Sequence, residues 1–393
     1  MVTAAAMAMG ALALAACGGG GAGGSDADYK IGLIASQSGV FAAFGDPMLY
    51  GAQLAVDEVN ADGGIDGQQV SLVTVDDKSD ATVAASQARR LLTDDQVDLL
   101  VGTVASDATL AVIPLVNRAQ TTFIYPVTGE DRTCTPDGGT NPYVFGLGDT
   151  PDQQQAEFVK YAVENFGKNW YLLGNDYVFP RSVLEVTKKY LTEAGGTVVE
   201  ETYTPLGTTD YRPTIRNMAA SNADVIFAVV PGSDGNAFMK QATEAGLDVD
   251  KTITGVSTFE IEIYSGMAGA ADGIVTADRY TDRLDTPLNK AFVKSYRELA
   301  GNDLPIPATA AYTYSAIKLA AQAAKDAGSS DPELLRAALE QVEMELPQGP
   351  VKMNEDHLLD QPVYVLKIEN DGYSVVEELG VQKALGHSGC SVK

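Results

Sequence analysis

Side chains able to hold a small polar molecule recur just after runs of apolar residues in this sequence. In VDLLVGTVASDATLAVIP, Ser106 falls just before an apolar helix predicted to begin around Ala108. Its hydroxyl and the free N–H groups of a helix start could together hold a carbonyl or carboxylate oxygen. An ordinary serine cap is the equal alternative there. TFIYPVTGE offers Tyr125 and Thr128 with Val127 between them, and WYLLGNDYVFPR offers Asp176, Tyr177 and Phe179. A phenol such as that of Tyr177 supplies a hydrogen bond and an apolar wall at low rotamer cost. Both aromatics of that loop can instead pack beneath it, and Arg181 reads as the partner of a local acid. In KTITGVSTFEIE, Glu260 and Glu262 follow another apolar run. A carboxylate closed away from water requires donors, because burying it unpaired costs several kcal/mol. Glu260 is the candidate for that role, and Glu262 reads as a solvated helix-start residue.

Catalytic chemistry has little material. The two histidines, His357 and His387, both lie in the polar C-terminal region, so a Ser-His or Cys-His nucleophile pair is not supported. No G-x-S-x-G elbow, phosphate loop or Cys/His metal spacing occurs. Asp76, Asp77 and Asp80 resemble a cation cluster, but acids after a strand more often cap a helix or line a solvated loop. The sequence predicts no enzyme, no cofactor and no metal.

The elements that must position these residues alternate regularly. Residues 29–36, 69–77, 97–102 and 122–127 are β-branched or Leu-rich runs suited to strands buried on both faces. Between them lie helical stretches such as MLYGAQLAVDEVNADGG, whose apolar residues recur at helical spacing up to Gly63 and Gly64. The pattern restarts with a helix from about Pro151 to Asn165, followed by strands at 169–174, 197–205, 223–230 and 251–256. Two parallel, doubly wound α/β units follow from this rhythm. In such sheets ligands sit beyond the carboxyl ends of the strands, which is where Ser106, Tyr125, Thr128, Tyr177 and Glu260 are placed.

Length and charge agree with two domains and a small-molecule partner. At 393 residues the chain exceeds what one core usually serves. A formal charge of -26, with no clustered Lys or Arg, opposes nucleic-acid binding. Residues 1–16 read as a signal peptide: the first 24 residues carry no charge, and Ala4 to Ala16 form an apolar stretch too short to span a bilayer that meets LAAC, Leu14 to Cys17. Small residues before a cysteine resemble the lipobox of bacterial lipoproteins, which implies cleavage before Cys17, acylation of its thiol and a membrane anchor outside the cytoplasm. No Lys or Arg precedes this run, although a signal peptide usually carries one. Residues 17–28 are Gly-rich and read as a tether. Cys134 and Cys390 form an even pair in a chain that looks exported, so a disulfide between them and two unpaired thiols are equally open.

The opening IGLIASQSGVFAAFG, then YGAQLAVDEVNADGGIDGQQVSLVTVDDKSD and QARRLLTDDQVDLLVG, resembles type I periplasmic binding proteins of the branched-chain amino-acid ABC importer group. The resemblance covers residues 29 to 375. IYPVTGE, LLGNDYVFPR, YTPLGTTDY, VVPGSDGNAFMKQ, STFEIE and LPQGPVKMNEDH resemble the urea-binding and short-chain-amide-binding branch. That branch implies ligand contacts at Ser106, Tyr125 and Tyr177. Two positions depart from the amide pattern, where Val104 replaces an aromatic and Val127 a threonine; urea-type members commonly carry valine at the latter. The fold implied is two doubly wound lobes with a ligand cleft between them and three crossings, near Gly148, Tyr280 and Gln348. Lobe 1 would comprise 29–149 and 281–347, lobe 2 150–280 and 348–380, with 381–393 a C-terminal tail. The function implied is trapping urea or a short-chain amide for delivery to a membrane permease. The alternatives are a receptor for a small or branched-chain aliphatic amino acid, in which Ser106, Thr128 and Glu260 meet carboxylate and ammonium, and a ligand sensor without transport.

Overall fold

The computed structural model describes residues 28–131, 141–267, 269–369 and 372–386. Cys17 with the leader before it, Cys134 and Cys390 lie outside the described residues, so the anchoring and disulfide expectations are not addressed by the fold.

The first lobe is built on strands β1 (Tyr29–Ala35), β2 (Val70–Asp76), β3 (Leu99–Val101), β4 (Thr122–Tyr125) and β5 (Val144–Gly146). All its pairings are parallel, in the order β2-β1-β3-β4-β5. Leu33, Ile34, Leu100, Val101, Phe123 and Ile124 are sealed from solvent, as expected of strands with helices on both faces. The helix Gly45–Ala61 packs against the helix Ala308–Ala327, which returns from far along the chain. At that contact a Cβ on Gly51 would collide with the Ala310 carbonyl, so only glycine lets the two backbones approach.

The second lobe repeats the arrangement with β6 (Asn169–Asn175), β7 (Thr197–Thr204), β8 (Val225–Val229), β9 (Thr252–Gly255) and β10 (Val275–Asp278), ordered β7-β6-β8-β9-β10. The helix Pro151–Phe166 that enters it starts on a Thr150 cap, whose hydroxyl accepts from the Gln153 N–H, with Pro151 in its first turn. An antiparallel extension completes the sheet: β11 (Glu343–Leu346), β12 (Gly349–Met353), β13 (Leu359–Glu369) and β14 (Gly372–Gln382). β14 runs two residues into the segment expected to be tail, and Ala384 beyond it is buried, its N–H donating to Asp360 and its carbonyl accepting from Asn354.

The chain passes between the sheets after β5, after β10 and before β11, giving two lobes and three crossings. The segment from β12 into β13 is itself bonded to the first lobe. The Gly146 N–H donates to the His357 carbonyl at 2.8 Å, Gly146 bridges Leu358, and Gln361 donates to the Leu147 carbonyl at 2.8 Å.

Candidate functional site

The carboxyl ends of the two parallel sheets face one another across a narrow cavity of about 40 Å³. The first lobe contributes Phe41, Phe44, Val104, Ser106, Val127, Thr128 and Gly129; the second contributes Tyr177, Phe179, Pro231, Ser257 and Glu260. The lobes touch at its rim, where the Ser233 N–H donates to the Val40 carbonyl at 3.2 Å and the Phe41 and Tyr177 rings meet edge to face, 6.3 Å between centroids.

Ser106 opens the helix Ser106–Ala119, two residues earlier than expected, and Ala105 takes the capping position with no side-chain bond. The serine is therefore the first helical residue and not its cap. Its Oγ is buried without a hydrogen-bond partner, beside the unpaired amides of the helix start. That pairing suits an oxygen with negative charge.

Thr128 lines the same cavity, but its hydroxyl is already engaged, donating to the Val104 carbonyl at 3.0 Å and meeting Thr109 at 3.0 Å. It holds the loop that carries Val127. Tyr177 precedes the helix Val178–Glu193. Burial, then the charge of Glu260, holds its phenol well above the ordinary range. Phe179 lines the wall as well, while Arg181 lies outside, paired with Asp176 at 2.6 Å as expected.

Tyr125 is a correction. It is the last residue of β4, not a residue after it, and the pleat places it on the same face as Phe123, 6.1 Å away between ring centroids. Its hydroxyl donates to the Glu130 carbonyl within the core of the first lobe, and it does not line the cavity. Glu262 is a second correction. It is not solvated, because its Oε1 accepts from both the N–H and the hydroxyl of Thr309 in the other lobe, at 2.9 and 2.7 Å.

Glu260 follows β9 and is partly exposed as a residue, yet its Oε2 is buried and unpartnered. Burial, then the charge of Glu262, raises its carboxyl well above the usual range. The acids after β2 behave as caps: Asp80 accepts from the Val83 N–H, and Asp77 from the Ser79 N–H. Among the described residues no group of acids, histidines or cysteines has the arrangement of a metal site, and no helix is long and apolar enough to cross a membrane. Phe41, Phe44, Pro231 and Ser257 were not singled out in sequence. Pro231 and Ser257 carry the one available signal, a position just after a strand.

Two α/β lobes closing on a pocket at their strand ends define a solute-binding protein. The sequence profile of the periplasmic binding protein family matches residues 28–373, and the chain belongs to that family, in its type I group with the Leu/Ile/Val-binding proteins. The chain is 28% identical to the Leu/Ile/Val-binding protein BraC3 of Rhizobium johnstonii over 316 residues, 80% of this chain and 83% of that protein. Among solved structures it resembles the branched-chain amino acid transporter substrate-binding protein LivJ from Streptococcus pneumoniae in complex with isoleucine, at 27% identity and a TM-score of 0.79 over 91% of this chain and 100% of that one. A solute-binding protein of an ABC transporter from Rhodopseudomonas palustris BisB5, in complex with 3,4-dihydroxybenzoic acid, is 26% identical with a TM-score of 0.82 over 92% and 99%. Proteins of this family are extracytoplasmic receptors that work with an ABC permease and are not enzymes.

Proposed function

We propose that the cleft binds a small α-amino acid for import, in preference to the urea or short-chain amide suggested by the sequence motifs. One observation carries this reading: Ser106 Oγ and Glu260 Oε2 are buried, unpartnered and on opposite walls of one cavity. A zwitterion serves both, its carboxylate at Ser106 and the helix start, its ammonium at Glu260. Urea and simple amides supply N–H donors for Glu260 but bring no anion to the helix start. An unsubstituted benzoate supplies the anion but no donor for Glu260, and a hydroxybenzoate offers it an O–H without the positive charge that would offset a buried carboxylate. The apolar walls of Phe41, Phe44, Val127 and Phe179 accept the aliphatic part of a side chain. The Leu/Ile/Val-binding relatives support the same choice.

A thermal-shift panel of amino acids, urea, acetamide and benzoate tests it, since ligand at 100 times its Kd stabilises by about 2.7 kcal/mol. Amino acids are expected to raise the melting temperature; a response to urea or acetamide alone reverses the assignment. Cys17 as a lipidated first residue belongs to the same proposal. Full-length protein made in bacteria should partition with membranes and Cys17→Ser protein should not, whereas identical partitioning removes the anchor.

A further inference from the structure

The cavity does not end at Glu260. A second, smaller chamber of about 20 Å³, room for one group of the size of water or an ammonium, continues from it and shares Val127, Phe179, Ser257 and Glu260 with the first. Its wall carries Asp149 at 7% exposure, Asp278 at 8%, Glu262, and Arg279 at 2%. Counting Glu260, four carboxyl groups surround one guanidinium.

That guanidinium is already engaged. Its Nε lies 3.3 Å from Asp149 Oδ1, it donates to the Leu147 carbonyl, and it stacks 3.6 Å above the centre of the Tyr312 ring. The Tyr312 hydroxyl donates to Asp278, and Thr309 donates to Glu262 Oε1. Asp149 Oδ2, Glu262 Oε2 and Glu260 Oε2 remain buried without a hydrogen-bond partner, three acceptors against the single unbonded donor Arg279 Nε. Ionised carboxylates only accept hydrogen bonds, so the chamber is short of donors. An ammonium brings three N–H groups and a guanidinium five, each with the charge that the excess of acids lacks. Water can donate to these oxygens but brings no charge, and an apolar group brings neither.

We propose that the second chamber is a subsite for the distal end of the ligand and takes a cationic N–H group there, making the preferred solute a basic α-amino acid. The proposal rests on the zwitterion reading of the first chamber. The ligand's methylenes pass Val127 and Phe179, and its distal nitrogen is received by Asp149 and Glu262.

The test is calorimetric binding of ornithine and lysine beside their chain-matched apolar analogues, norvaline and norleucine, to the intact protein. The cationic member of each pair is expected to bind at least tenfold more tightly. Glu262→Gln, which can still accept from Thr309, should shrink that ratio about tenfold, any loss of lobe closure falling on norvaline and ornithine alike. Norvaline binding as tightly as ornithine overturns the subsite and leaves the zwitterion reading standing. Failure of every amino acid to bind overturns both.

Discussion

Glu262 and Thr309 join the two lobes through a single carboxylate oxygen, which accepts from the amide at 2.9 Å and the hydroxyl at 2.7 Å. Thr309 sits in the first turn of the helix Ala308–Ala327, so the acid also neutralises that helix start. The pair can exist only while the lobes are together. It therefore biases the closed form by differential contact, as a ligand does.

Thr309→Val removes the hydroxyl and keeps the amide bond. A hydrogen bond to a charged group contributes about 1.5–3 kcal/mol, so ligand affinity should fall by roughly tenfold or more. Small-angle scattering should show a larger open population. An unchanged Kd with a lower melting temperature would make the contact structural only.

Ser106 and Tyr125 should separate binding from stability. Ser106→Ala deletes a hydroxyl that bonds nothing within the protein, so the ligand-free melting temperature should hold while Kd rises about 5- to 100-fold. Tyr125→Phe should behave inversely, leaving Kd unchanged and losing about 0.5–1.5 kcal/mol of stability through the bond to Glu130. Denaturant titration beside calorimetry checks both. If Tyr125→Phe weakens binding, the core assignment of its hydroxyl is wrong.

Stability should fall as pH rises across the weakly acidic range. Burial pushes the Asp149 carboxyl up to about 6 despite the opposing charge of Arg279. Burial also raises Glu262, Asp278 and Glu260. A group whose folded pKa exceeds its unfolded value, near 4 for aspartate, stabilises the fold fully below that value and stops doing so as pH passes its folded pKa. For Asp149 the loss is on the order of 2–3 kcal/mol between about pH 4 and 7. Melting curves of the ligand-free protein should show it, with a shallower slope in Asp149→Asn. Parallel profiles would mean that Asp149 does not control the effect.

What the sequence disclosed follows the range of the signal. β1 to β4 and β6 to β9 were legible because each is a compact apolar run, whereas β5 is only three residues long and was not read as a strand; the post-strand rule then led to Ser106, Tyr177 and Glu260. Tyr125 was misplaced because the apolar run 122–127 does not show where within it the strand ends or which face of the pleat the tyrosine takes. The hairpin β13–β14 mixes polar and apolar residues, with Val375 and Val376 exposed on its outer strand, and only pairing with distant strands defines it. Asp149, Asp278 and Arg279 were illegible for a related reason. GDTPD and TADRYTD look like solvated connections, and they become a buried charge cluster only when the crossings bring them together.

The bonded segment from β12 into β13 has a mechanical consequence. Because Gly146, His357, Leu358 and Gln361 are bonded into it, the chain there acts as a torsion bar and not as a slack tether. Opening must twist hydrogen-bonded backbone about a narrow axis, which restricts the open protein to few orientations. Little orientational freedom is then left to surrender when a ligand arrives. Cutting those bonds would leave the cleft chemistry intact while letting the receptor wander, and its affinity would weaken through entropy alone.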